Sequence, residues 1–213
     1  MSSVMPPTEG TVAPDDAAGI PHRARSNSYA GKHLAVVAIS LVLAVASMFV
    51  VCGQQSDAAT SGGKVATCGG GSIFLSAKER DTFERHNGIR RRHDLPTFCL
   101  HPTLQKAARY HSKDMVEHDY FSHDTVGRNE DFAERIEGFG YTSYSALAEN
   151  IAYGAGSEGS PRSIMRAWMH SDGHRQNILD PQLRQIGVGV FVGNWKGYEN
   201  TSMYTADFGA RRR

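Results

Sequence analysis

The stretch IGVGVFVGNWKGYENTSMYTADFG, Ile186 to Gly209, decides the fold class. Its two arms, IGVGVFVG from Ile186 and SMYTADFG from Ser202, alternate apolar with small or polar residues, the period-two signature of strands. The NWKGYENT between them has turn composition, so the arms form an antiparallel hairpin.

Upstream of this hairpin the period is helical. SAKE, Ser76 to Glu79, is a capping box that opens a helix running to about His93, with Phe83 and Ile89 inward. A second helix starts with Pro102 at its first position, where a missing N–H costs nothing. Its inward stripe is Leu104, Ala107, Ala108, His111, Met115 and His118. EDFAERIEG reads as a short helix capped by Asn129 and stopped at Gly138, and AENIAYGAGSEG as a glycine-rich loop region. SPRSIMRAWMHS forms a fourth helix with Ser160 as cap, burying Ile164, Ala167 and Trp168. Several helices and few strands, without strict βαβ alternation, predict an α+β fold with helices covering a small sheet.

The remaining sequence sets the cellular context. Residues 1–33 are rich in Pro, Ser, Ala and Gly and read as a disordered tail. LAVVAISLVLAVASMFVVC, residues 34–52, is uncharged and long enough to cross a hydrocarbon core as a helix. It reads as a transmembrane anchor or a signal segment, with AVAS at Ala44 to Ser47 as a cleavage alternative and Cys52 as a lipidation alternative. Arg23, Arg25 and Lys32 precede it and only Asp57 follows closely, which keeps Met1 cytoplasmic and exports the rest, anchored at the cell membrane or secreted. Residues 53–75 read as a flexible linker and 210–213 as a solvated basic tail. In an oxidising compartment Cys68 and Cys99 are expected to pair, closing a loop worth roughly 3 to 4 kcal/mol, the alternative being two buried thiols. The formal net charge of +1 gives no electrostatic case for nucleic acid.

The chemistry-bearing residues lie in three places. WMHSDGHRQNIL, Trp168 to Leu179, spaces His170 and His174 by four, but lacks the Glu of an HExxH zinc helix and has Gly173 as a helix stop. YFSHD supplies His123 and AENIAYG supplies Glu149, both expected in loops where functional side chains are displayed. Two imidazoles and a carboxylate would suffice for a divalent transition ion with an open position for water. His86, His93, His101, His118 and His170 read as surface or packing residues, and His111 and Trp168 as core.

Taken in order, HNGIRRRHDLP, LQKAARYHSKDM, YFSHD, AENIAYG, AWMHSDGHRQNIL, IGVGV and YTADFG resemble the motifs of CAP-superfamily (SCP) domains. These include cysteine-rich secretory proteins, insect venom antigen-five proteins and plant pathogenesis-related proteins. The resemblance covers about Ser76 to Gly209 and is strongest to the short bacterial branch. It implies a three-layer α-β-α sandwich and a cleft of two His and two acidic residues that holds Zn2+ or another divalent cation in some members. His123, Glu149 and His174 match three of these; the fourth falls at Ser171, with Asp172 next door. Asn150, Arg175, Asn177 and Ser171 are expected to support the cleft. The implied function is a binding module for a metal, small lipid or peptide. The alternatives are a metal-dependent hydrolase with Glu149 as general base, and an envelope structural protein without a small ligand.

Overall fold

The computed structural model describes residues 61–212, so the expected tail, the apolar segment of residues 34–52 and the first part of the linker lie outside the described residues. Among the described residues no helix is long and apolar enough to cross a membrane.

The elements run β1 (Gly63–Ala66), β2 (Ser72–Leu75), α1 (Ala77–Arg92), β3 (Cys99–Leu100), α2 (Pro102–Glu117), α3 (Phe132–Gly138), β4 (Tyr144–Gly154), a 3-10 turn at Gly156–Gly159, α4 (Pro161–His170), α5 (Asp172–Leu179), β5 (Gln185–Trp195) and β6 (Tyr198–Arg211). The two arms of the opening stretch are β5 and β6. Their turn tightens to Lys196-Gly197, with φ of 46° and 83° and Trp195 pairing Tyr198, the left-handed two-residue geometry that matches strand twist. The main sheet has the order β3-β5-β6-β4, parallel only between β3 and β5.

Period-two alternation splits the side chains of this sheet between two helical layers. Ile186, Val188, Tyr204, Ala206 and Phe208 join one cluster with Phe83 and Ile89 of α1 and Ile164 and Trp168 of α4. On the opposite face Met203 and Ile151 pack with Met115 and Val116 of α2, while Leu147 packs beside Leu104 of α2 and Ile136 of α3. Helices therefore cover both faces, the three-layer α-β-α arrangement. The glycines of IGVGV make this possible: a Cβ on Gly187 would collide with the Leu104 backbone and one on Gly189 with the Ala108 backbone. The α2 axis lies directly on β5 because those two positions carry no side chain.

The Cys68–Cys99 disulfide is present, with a Cα–Cα distance of 5.5 Å. Beside it the Cys68 amide donates to the Leu100 carbonyl at 2.8 Å, fixing the segment that leads into the domain.

Six expectations are corrected. Part of the expected flexible linker, residues 63–75, is the β1–β2 hairpin; TCGGGS reverses the chain because Gly69, Gly70 and Gly71 adopt φ of 82°, 102° and 80°. The expected loop around Glu149 is the 11-residue strand β4, whose pairing with β6 overrides its Ala and Gly content. Gly173 does not stop a helix but lies in the first turn of α5, since Ser171 ends α4 and starts α5. The cap of α3 is Asp131, which forms a capping box with Glu134, not Asn129. The basic tail is partly structure: Arg211 ends β6 and donates to Thr142 O at 3.0 Å, and Arg212 donates to Tyr144 O at 2.8 Å. Of the proposed inward residues, Ala167 and His118 are exposed, whereas Met165 takes the buried place in α4.

Candidate functional site

The site is built on the face of β4 that meets α2 and α3. Glu149 points there and is buried, its side chain 1% exposed, while the ring of His123 in the loop after α2 is 25% exposed. His123 Nδ1 lies 2.7 Å from Glu149 Oε1. An ionised carboxylate only accepts, so Nδ1 carries the proton and the Nε2 lone pair is left for another partner. The second carboxylate oxygen, Oε2, accepts from the Arg135 guanidinium. Arg135 is itself buried and is fixed by donating to His123 O at 2.8 Å and Thr125 Oγ1 at 3.2 Å. His111 closes the cluster from α2, its Nε2 donating to Ser122 O at 2.9 Å and lying 4.0 Å from Glu149 Oε1.

Across the β4–β6 ladder Glu149 pairs with Asp207, which is fully buried. Neither Asp207 oxygen has a hydrogen-bond partner among the described residues. Burial and the charge of Glu149 push the Asp207 carboxyl well above the usual carboxylate range. For Glu149 burial acts in the same direction but is outweighed by Arg135, His111 and His123, which hold it well below that range. Burial and the neighbouring charge thus favour the protonated form of Asp207, while Arg135 favours the ionised form of Glu149 across the strand pair.

Asn150, the next residue of β4, faces the other way, toward α5. Its Nδ2 donates to His174 O at 3.0 Å, and Asn177 Nδ2 donates to Asn150 Oδ1 at 2.9 Å and to Glu149 O at 3.3 Å. The Trp168 indole donates to Ile151 O at 3.1 Å, so α4 and α5 together satisfy the outer carbonyls of this edge strand. His174 Nδ1 lies 2.8 Å from Ser171 Oγ. Asp172 and Arg175 are exposed. The structure therefore brings His123 and Glu149 together and ties Asn150, Asn177 and the His174 carbonyl into a network on the opposite face of β4, with the His174 ring on Ser171. Among the described residues no group of three His, Cys, Asp or Glu side chains is arranged to hold a metal ion.

Sequence reasoning missed Arg135 and Asp207 and assigned His111 to the core alone. Asp207 left a signal, being the single acid inside the apolar arm SMYTADFG; Arg135 left none, since AERIE reads as a solvated helix. His86 is also fully buried, its Nδ1 2.8 Å from Thr82 O, and burial lowers its pKa to about 4.

The fold and these motifs are those of a known family. A profile described as the cysteine-rich secretory protein family, CAP, matches residues 83–208, and the chain belongs to that family. The Bacillus subtilis protein YkwD is 34% identical over 153 residues, covering 72% of this chain and 55% of its own. The Bacillus subtilis membrane protein YlbC is 30% identical over 115 residues, covering 54% of this chain and 32% of its own. The chain thus spans about half or less of the length of these curated relatives. Among solved structures, an extracellular SCP-domain protein of Bacillus anthracis is 25% identical with a TM-score of 0.53, over 67% of this chain and 47% of that one. An outer surface protein of Borrelia burgdorferi has the same TM-score at 19% identity, over 71% of this chain and 99% of that one, and shares the fold.

Proposed function

We propose that the domain is an extracytoplasmic binding module that takes a small organic or peptide ligand at His123, with Glu149 and Arg135 as the buried support of that imidazole. The observation that carries this reading is the 2.7 Å bond between a partly exposed His123 and a buried, charge-neutralised Glu149. Such a pair fixes one tautomer and offers Nε2 as an acceptor for a hydroxyl, ammonium or protonated acid of the ligand. Extracytoplasmic placement is supported by the disulfide, by the apolar run at residues 34–52 and by the extracellular and membrane relatives.

The divalent-ion reading fits this donor set poorly in chemical terms. Both Glu149 oxygens are committed, one to Arg135 and one to His123, and a cation entering there would face the guanidinium at contact. A general-base role for His123, oriented by Glu149, is the second reading, because base and orienter are already within hydrogen-bond reach.

The test is zinc calorimetry on the purified protein beside His123→Ala and His174→Ala, paired with imidazole NMR of His123 during a screen of peptides and small hydroxyl compounds. Ligand-dependent shifts of the His123 ring without stoichiometric zinc uptake support the module. Stoichiometric zinc binding abolished in both variants would establish the metal site instead. Peptide hydrolysis lost in His123→Ala would favour the general-base reading.

A further inference from the structure

The chain enters the domain through the β1–β2 hairpin, and the two faces of that hairpin differ. By alternation Val65, Ile73 and Leu75 point inward, where they pack into the main core cluster. The outward set is Lys64, Ala66, Ser72 and Phe74, all exposed, with Lys64 directly opposite Phe74 and Ala66 opposite Ser72. Phe74 is 61% exposed, so its ring adds little to the stability of the fold. The tip of that ring lies over the entry segment, close enough that a Cβ on Gly62 would stand 3.2 Å from it. The face is held in place from behind: Cys68 in the hairpin turn is bridged to Cys99, and Arg109 donates to Phe74 O at 2.7 Å.

The charge on this face is uncompensated. Residues 61–75 contain Lys64 and no Asp or Glu. The neighbouring cations are each taken by an acid, Arg80 by Glu84 at 2.8 Å, Arg109 by Glu79 at 2.7 Å and Lys113 by Glu117 at 3.4 Å. Among the described residues no carboxylate pairs with Lys64. Where the chain comes from decides what this face meets. Residues 53–60 separate the apolar run of residues 34–52 from Ser61, the first described residue. At about 3.5 Å per residue they reach at most about 30 Å, less than the roughly 40 Å width of a domain of this size. An anchor at residues 34–52 therefore tethers the entry hairpin closer to the bilayer than any other element.

We propose that the outward face of the β1–β2 hairpin is a membrane-surface contact, with the Phe74 ring set among the headgroups of an anionic bilayer and Lys64 on a lipid phosphate. An aromatic ring beside a lysine suits this interface, the ring at the boundary of headgroup and acyl chain and the ammonium on anionic oxygens. Two side chains would not hold a free domain on a membrane. The short tether supplies the rest, because it keeps the face at about millimolar effective concentration over its target. The contact fixes the orientation of the domain on the membrane. It rests on the reading of residues 34–52 as an uncleaved anchor, and it is independent of the site at His123.

The test uses the full chain reconstituted in lipid vesicles with the domain outside, and Phe74→Trp as the reporter. Trp168 and Trp195 are 1% and 4% exposed, so the wild-type chain supplies the background emission. Two kinds of vesicle are compared, phosphatidylcholine alone and phosphatidylcholine mixed with phosphatidylglycerol, each with and without lipid brominated high on the acyl chain. Flotation reports whether the chain is membrane-bound. The expected result is a chain that floats with both vesicles and whose added tryptophan loses most of its emission to bromine in the anionic ones. Neutral vesicles should quench it less, and adding Lys64→Glu, at an exposed position, should restore the emission while circular dichroism shows an unchanged melt. A floating chain whose added tryptophan is not quenched overturns the proposal and leaves the anchor standing. Quenching undiminished by Lys64→Glu and by neutral lipid overturns it as well. A chain that does not float removes the anchor, and the proposal falls with it.

Discussion

Replacing Arg135 with Met tests the electrostatic account of the site most directly. The guanidinium and the Glu149 carboxylate are both about 1% exposed, and Arg135 also donates to His123 O and Thr125 Oγ1. Removing one partner of a buried pair leaves an uncompensated charge and costs about 3–5 kcal/mol. Against a domain stability on the order of 5–15 kcal/mol this is large. At about 2–4 °C per kcal/mol for a domain of this size, the melting temperature should fall by roughly 6–20 °C. The pH dependence carries the sharper signature. In wild type Glu149 sits below its ordinary value despite burial, because Arg135, His111 and His123 outweigh desolvation. Its contribution is therefore present above the unfolded carboxylate pKa and is lost as pH falls through the folded one. Without Arg135, desolvation and the neighbouring Asp207 raise Glu149, so its contribution is present below the unfolded pKa and is lost as pH rises. Urea unfolding followed by the buried tryptophans Trp168 and Trp195 at pH 5 and pH 7.5 should show a larger deficit at pH 7.5. The double variant Arg135→Met, Glu149→Gln should recover much of it. A deficit below about 1 kcal/mol, or one equal at both pH values, would refute the reasoning.

Asp207→Asn should raise stability at pH 8 by at least about 1 kcal/mol and leave it nearly unchanged at pH 4. The raised carboxyl of Asp207 contributes stability below the ordinary carboxylate value and loses it as pH rises, whereas Asn is neutral throughout; melting curves at the two pH values decide this. Cys68→Ser should cost roughly 3–4 kcal/mol for a bridge spanning a sequence separation of 31, read by chemical unfolding, with no further loss on adding reductant. Gly189→Ala should cost at least about 3 kcal/mol or prevent folding, because the new methyl meets the Ala108 backbone, while Gly173→Ala, with nothing within 4 Å of its Cβ, should be neutral or stabilising. Circular dichroism melts of the two Ala variants check the contrast.

Helices α1, α2 and α4 were legible because their start signals are local: the Ser76 and Glu79 capping box, Pro102 and Ser160 act within one turn, and each holds in the structure. The β5–β6 hairpin was legible because alternation survives where one face is built of glycine. β4 was not, since ALAENIAYG alternates no hydrophobicity: both faces of its middle are buried, with Glu149 and Asn150 satisfied by partners far along the chain. A strand whose polar residues are all paired internally looks like a loop to any pattern based on apolar periodicity. The β1–β2 hairpin failed for a different reason. Its two four-residue strands are held by each other and by the expected bridge to Cys99, and strands so short, flanking a Gly-rich turn, leave too little alternation to be told from a linker.

The same distinction explains the site. His123 and Glu149 could be singled out as residue types, and their meeting depends on one parity: Glu149 must fall on the α2 side of β4. That parity is set by the register Glu149↔Asp207, which also places a second acid against the first. With two carboxyls on one face, the cluster needs a buried cation or a proton to be stable, and the chain supplies both, Arg135 from α3 and the retained proton of Asp207. His174 sits one parity step away, tied through its carbonyl to Asn150 on the other face of the strand. A shift of a single residue in the pairing of β4 with β6 would exchange these two sets, bringing Asn150 to Arg135 and Glu149 to α5. The Glu-Asn pair at Glu149 and Asn150 is thus read by the fold as two instructions, the carboxylate orienting His123 and the amide holding α5 against the sheet edge.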